Sequence, residues 1–135
     1  MTDDRSLFGD GRYPDAGPLA VLARLSFVGA ALAIAIAVFL PRELVPQFVR
    51  SHYLQHFAAF YVLMLCALSA MPRARLRNAA LLVALFATVL EAAHLFSGAA
   101  LTPLIDNWVA DLGGLAAAAA PVVVERFRRR FPRKA

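Results

Sequence analysis

Four runs of about twenty mostly apolar positions, residues 19–40, 53–71, 79–96 and 103–124, alternate with short stretches where proline, glycine and arginine gather. Crossing about 30 Å of hydrocarbon at about 1.5 Å of rise per residue takes roughly 20 apolar residues, so each run predicts a transmembrane helix. The punctuation fits. Pro41 ends the first run, and Arg24 near its start has a side chain long enough to reach the headgroups. The second run stops before Pro72, which disfavours helix in the residue preceding it. Gly98 is a natural stop for the third. Pro103 suits the first turn of the fourth, and Pro121 predicts a kink near its far end.

Composition agrees with that pattern. Of the 135 residues, 61% are hydrophobic, more than a soluble domain of this size can bury. The predicted fold class is therefore all-α, a polytopic membrane protein with four transmembrane helices. Its parts are a polar N-terminal tail (1–18), a four-helix domain (19–124) and a basic tail (125–135). The first part carries Asp3, Asp4, Asp10 and Asp15 with Gly9, Gly11, Pro14, Gly17 and Pro18, which predicts a disordered lead-in. It lacks the basic start of a secretory signal, so residues 19–40 read as a retained span. The single cysteine, Cys66, excludes an intramolecular disulfide.

Charge then sets the expected orientation. The chain has 14 Lys+Arg against 9 Asp+Glu, and Arg126, Arg128, Arg129, Arg130, Arg133 and Lys134 crowd its end. With the N-terminus in the cytoplasm, Arg5, Arg12, Arg24, Arg73, Arg75, Arg77 and these six fall inside, leaving Arg42 and Arg50 outside. The positive-inside bias thus places both termini in the cytoplasm. The basic tail reads as a flank that touches anionic lipid, not as a nucleic-acid site.

Under that topology the polar residues inside the spans converge. His52 and His56 lie one turn apart on the second helix, Glu91 and His94 three apart near the end of the third, and Asp106 and Asp111 in the first turns of the fourth. All fall at outer-leaflet depth. Glu91 lies about five residues, or roughly 7 Å, inside its helix end, where a carboxylate persists when something polar meets it. The candidate cluster is His56, Glu91, His94, Asp106 and Asp111.

Two chemistries suit it. Glu91 can serve as a base, ligand or hydrogen-bond acceptor, or can be a carboxylate satisfied by a neighbouring helix. Glu91 and His94 have the ExxH spacing of di-iron bundles but lack the second pair; His52, His56, Glu91 and His94 could instead form one mononuclear site. Asp106 also suits the positive end of a helix dipole, and Trp108 and Tyr53 an interfacial aromatic belt. Gly113, Gly114 and Ala116 to Ala120 form a small-residue face for close helix packing, within the chain or in a homo-oligomer. No phosphate-cradling glycine loop, nucleophile elbow or paired-cysteine motif is present, so no cofactor is expected.

Two of these stretches resemble a known family. Gln55-His56-Phe57-Ala58-Ala59-Phe60-Tyr61, followed by an apolar helix and Pro72-Arg73, is similar to the first signature of VanZ-like membrane proteins, where an Asp-Lys pair precedes His-Phe. Glu91-Ala92-Ala93-His94-Leu95-Phe96, then Asp106 and Leu112-Gly113-Gly114, resembles the second, which reads Glu, two residues, Gln, a loop Arg, Asp, Asn and a Gly-rich helix. The resemblance covers residues 46–124. His56, Glu91 and Asp106 carry over. The family's leading Asp falls on His52, its Gln on His94, its loop Arg near Ala100 and its Asn on Ala110, beside Asp111. Loss of the loop Arg removes a bidentate grip on phosphate or carboxylate.

The resemblance implies a multi-pass protein of the bacterial inner membrane acting at the cell envelope, with the teicoplanin resistance of the family's named member as the functional precedent. It implies no defined enzymatic activity. The expected partners are the lipid bilayer and a lipid-linked envelope precursor or other amphiphile. The alternatives are a metal-dependent hydrolase working near lipid headgroups and a structural membrane subunit.

Overall fold

The computed structural model describes residues 13–131; the expectation of disorder over residues 1–12, and Arg133 and Lys134 of the basic tail, lie outside them. Four long helices follow one another: α1 (Pro18–Phe39), α2 (His52–Ala70), α3 (Leu76–Phe96) and α4 (Leu101–Arg128), with one 3₁₀ turn, Arg42–Leu44, between α1 and α2. All four are long and apolar enough to cross a membrane. The chain is an all-α, multi-pass membrane bundle.

Each boundary has a local cause. Pro18 occupies the first helical turn of α1, after Gly17 at φ 91°, a conformation open to glycine. Leu40, forced extended by Pro41, ends that helix (φ −78°, ψ 148°). Ser51 caps α2, its hydroxyl accepting from the Leu54 amide at 3.4 Å. Met71, before Pro72, leaves helical geometry and closes α2. At the end of α3, Gly98 takes φ 90°; its N–H donates to the Leu95 carbonyl (3.0 Å) and the Ala99 N–H to the His94 carbonyl (3.3 Å). That pair of bonds is a Schellman closure.

The helix ends fall within one residue of the expected spans except in three places. α3 starts at Leu76 and α4 at Leu101, earlier than 79 and 103. α4 also runs through Pro121 to Arg128, taking the first residues of the basic tail into the helix. At Pro121 the Ala117 carbonyl loses its N–H donor, and the chain continues helically nonetheless.

Segment 13–17 is tied down. Tyr13 donates from its hydroxyl to the Ser69 carbonyl (2.6 Å), Arg24 donates to the Pro14 carbonyl, and Arg73 makes a two-point contact with Asp15. The end of the polar N-terminal segment is thus held against the end of α2.

α2 packs most extensively on α4, next on α1, and α3 completes the bundle against α4 and α2; among the described residues α1 does not pack on α4. Phe60, Leu63, Met64 and Ala67 of α2 meet Ala79, Val83, Ala87 and Leu90 of α3 and Ala118 and Ala119 of α4. On α4 the buried positions Leu104, Asn107, Asp111, Gly114 and Ala118 repeat every three or four residues, one stripe along the helix. Gly114 is where α2 and α4 come closest: a Cβ there would collide with the Phe57 carbonyl and sit 2.9 Å from the Tyr61 amide nitrogen. The small-residue face is therefore used within the chain. Leu22, Leu25, Leu32 and Ile36 of α1 point outward, as side chains solvated by lipid would.

Candidate functional site

The antiparallel order of the helices brings the start of α2, the end of α3, the start of α4 and the end of α1 to one end of the bundle. Arg24, Arg73, Arg75, Arg77 and the arginines at the end of α4 lie at the opposite end.

At the polar end, His56 projects from α2 toward two carboxylates on two other helices. Its Nδ1 lies 2.9 Å from Asp111 Oδ1, a hydrogen bond between α2 and α4. Since an ionised carboxylate only accepts, Nδ1 carries the proton when Asp111 is charged. The same nitrogen is 3.9 Å from Glu91 Oε1 on α3. Asp111 is 1% exposed and Glu91 7%, while the His56 side chain retains 15%. One imidazole and two carboxyl groups therefore meet between three helices.

His94 has a divided role. Its Nε2 donates to the Val38 carbonyl at 2.8 Å. Val38 lies in the last turn of α1, where carbonyls have lost their intrahelical partners, so His94 closes an orphan acceptor and docks α1 against α3. With the proton on Nε2, neutral His94 presents a lone pair at Nδ1, which faces Glu91 Oε2 at 3.8 Å. Glu91 Oε2 and His94 Nδ1 are both buried and have no hydrogen-bond partner among the described residues.

Of the sequence-derived candidates, His56, Glu91, His94 and Asp111 come together, and Asp106 does not. Asp106 is exposed near the start of α4. The cause is helical phase: five residues at about 100° each put Asp106 roughly 140° around the helix from Asp111. Nor does Asp106 cap α4, whose N-cap is Ala100. His52 is exposed, its ring edge-on to His56 with centroids 4.7 Å apart. The four-residue metal set His52, His56, Glu91 and His94 is not assembled: among the described residues, the donors lying within 4.8 Å of one another are those of His56, Glu91 and Asp111.

Asn107, in the first turns of α4 with Asp106, stands outside the candidate cluster but is placed beside it on the helix. It is 6% exposed, one turn before Asp111 on the buried stripe of α4, and its Oδ1 has no hydrogen-bond partner among the described residues. The stripe Leu104, Asn107, Asp111, Gly114, Ala118 was the signal available in the sequence. Trp108, the next residue, is partly exposed and donates from its indole nitrogen to Thr88 Oγ1 at 3.0 Å, pinning α4 to α3.

Comparison with known proteins finds no matching family model, no matching curated protein and no matching solved structure. The residues themselves carry the functional argument. Three donors of high polarity, buried together at one end of a membrane bundle, can bind a proton, a cation or the polar head of an amphiphile.

Proposed function

We propose that this chain is a VanZ-like multi-pass protein of the bacterial inner membrane, acting at the cell envelope through the polar cluster at one end of its bundle. Both termini face the cytoplasm in this reading, because the arginine-rich end of the bundle obeys the positive-inside bias. The cluster then lies in the outer leaflet, level with the headgroups of lipid-linked envelope precursors. The observation that carries the proposal is Glu91: a nearly buried carboxyl with a free Oε2, beside a free imidazole nitrogen, is a receptor for a polar group from outside the chain.

The resemblance around His56 and Glu91 supplies the envelope context, and their meeting with Asp111 is consistent with it. His56, Glu91 and Asp111 make up the site, and His94 lies beside Glu91 while joining α1 to the bundle. The loop residue Ala100 offers no grip on a phosphate, so a ligand with hydroxyl, amide or ammonium groups fits the acids better than an anionic one.

Teicoplanin and vancomycin susceptibility tests this in a glycopeptide-sensitive host carrying wild-type protein, Glu91→Gln or empty vector, with membrane levels matched by immunoblot. The expected result is lower teicoplanin susceptibility with wild-type protein and loss of that shift with Glu91→Gln. Identical susceptibility in all three strains overturns the envelope reading.

A further inference from the structure

We infer that His56, Glu91 and Asp111 form a binding site for a divalent first-row transition-metal ion, a property that stands independently of the envelope reading. His56 Nδ1 is 2.9 Å from Asp111 Oδ1 and 3.9 Å from Glu91 Oε1, and one donor atom from each residue lies within 4.8 Å of the others. Ligand atoms bonded to one ion at about 2.0–2.2 Å sit roughly 3–3.5 Å apart, so the His56–Asp111 edge is already at bonding separation. The remaining closure falls to Glu91. Its carboxyl is the member free to swing, since no hydrogen bond holds Oε2.

Charge balance makes the same point. Two carboxylates and one imidazole meet on three helices at the depth of a membrane span, and an uncompensated charge there is expensive. A divalent ion neutralises both carboxylates with His56 as a neutral ligand. Protons are the other means of compensation, so ion and protons compete. Nδ1 must be free of its proton to bind the ion: in a neutral ring that proton passes to Nε2, so the protons released on binding are those that had neutralised the carboxylates or charged His56.

The donor set selects the ion class. One imidazole nitrogen with two carboxylate oxygens suits Zn²⁺ or Mn²⁺; an all-oxygen set would suit Mg²⁺ or Ca²⁺ better. Asn107 adds a second observation independent of the acids. Its buried Oδ1 has no partner among the described residues, and it lies one turn from Asp111 on the same helix stripe. An amide oxygen there can complete the coordination sphere, directly or through water.

The test uses the full chain purified in detergent, stripped with chelator and titrated separately with Zn²⁺ and Mn²⁺, with bound metal counted by mass spectrometry after desalting. The expected result is one ion per chain, proton release on binding, and affinity at least about tenfold weaker in His56→Ala, Glu91→Gln and Asp111→Asn. His52→Ala, on the same helix but exposed, should bind within about twofold of wild type. Circular dichroism and Trp108 emission verify the fold of each variant. If Asp111→Asn fails to fold, Glu91→Gln decides alone, since its lost oxygen holds no structural bond. Wild-type protein that is folded yet takes up neither ion overturns the proposal. So does binding that survives Glu91→Gln. The readout is on purified protein, so its failure is separable from a negative susceptibility result in cells.

Discussion

His56 Nδ1 and Asp111 Oδ1, 55 residues apart in the chain, meet at 2.9 Å and join α2 to α4 near one end of the bundle. The bond satisfies a carboxylate that is 1% exposed, on a helix that is otherwise largely apolar. The polar cluster and the stability of the bundle therefore share residues.

Removing both partners of this pair should cost less than the two single removals added together. His56→Ala leaves Asp111 buried without its donor, a change that typically costs about 3–5 kcal/mol in protein interiors. The double variant His56→Ala/Asp111→Ala should be destabilised by less than the sum of the single changes. Unfolding in mixed detergent, followed by circular dichroism, measures the cycle. Strict additivity would show that the two side chains do not interact.

Glu91→Gln should separate stability from function. Oε2 makes no hydrogen bond and Oε1 lies 3.9 Å from the nearest His56 nitrogen, so the neutral isostere loses little packing and sheds a buried acid. Stability within about 1 kcal/mol of wild type, or above it, is expected with loss of ion binding. Thermal unfolding of the purified variant checks the first half. A collapse in stability would make Glu91 a structural residue.

The neighbouring glycines should respond oppositely. At Gly114 an added Cβ meets the Phe57 carbonyl and the Tyr61 nitrogen, backbone atoms that cannot rotate away, so Gly114→Ala should force α2 and α4 apart at a cost of about 1–3 kcal/mol or more. At Gly113 the Cβ would meet only the edge of the Phe57 ring, at 3.4 and 3.5 Å. Gly113→Ala should be neutral or gain up to about 1 kcal/mol from helix propensity. Parallel thermal melts compare them.

Trp108 is the single tryptophan of the chain, so its fluorescence reports one contact. Thr88→Val removes the acceptor of the indole N–H, and the emission maximum should move to the blue while far-ultraviolet circular dichroism is unchanged. The expected stability loss is about 0.5–1.5 kcal/mol. An unmoved maximum would mean that the indole finds its partner elsewhere.

The sequence and the structure divide the site between them in a specific way. His56 and Asp111 could be assigned to one depth because their distances from predicted helix ends are readable from the chain. That they touch, while Asp106 turns away, depends on the rotation of α4 about its axis. A sequence states that phase only through its buried stripe, and the stripe includes a glycine and two polar residues that apolar periodicity overlooks. His94 illustrates a different limit. Its ExxH spacing with Glu91 suggests a ligand, yet one nitrogen is bonded to the backbone of Val38. No side-chain pattern announces a backbone carbonyl as a partner.

The extent of the apolar runs and the prolines and glycine between them were enough to determine an all-α, four-span chain, because bilayer thickness and backbone hydrogen bonding leave an apolar segment of that length one regular form. Only the tertiary structure decided which acids share His56, which imidazole nitrogen is free and where α2 and α4 approach most closely. Those depend on helix rotation and close packing between distant segments, and in a lipid-solvated bundle a few polar contacts and one glycine set both.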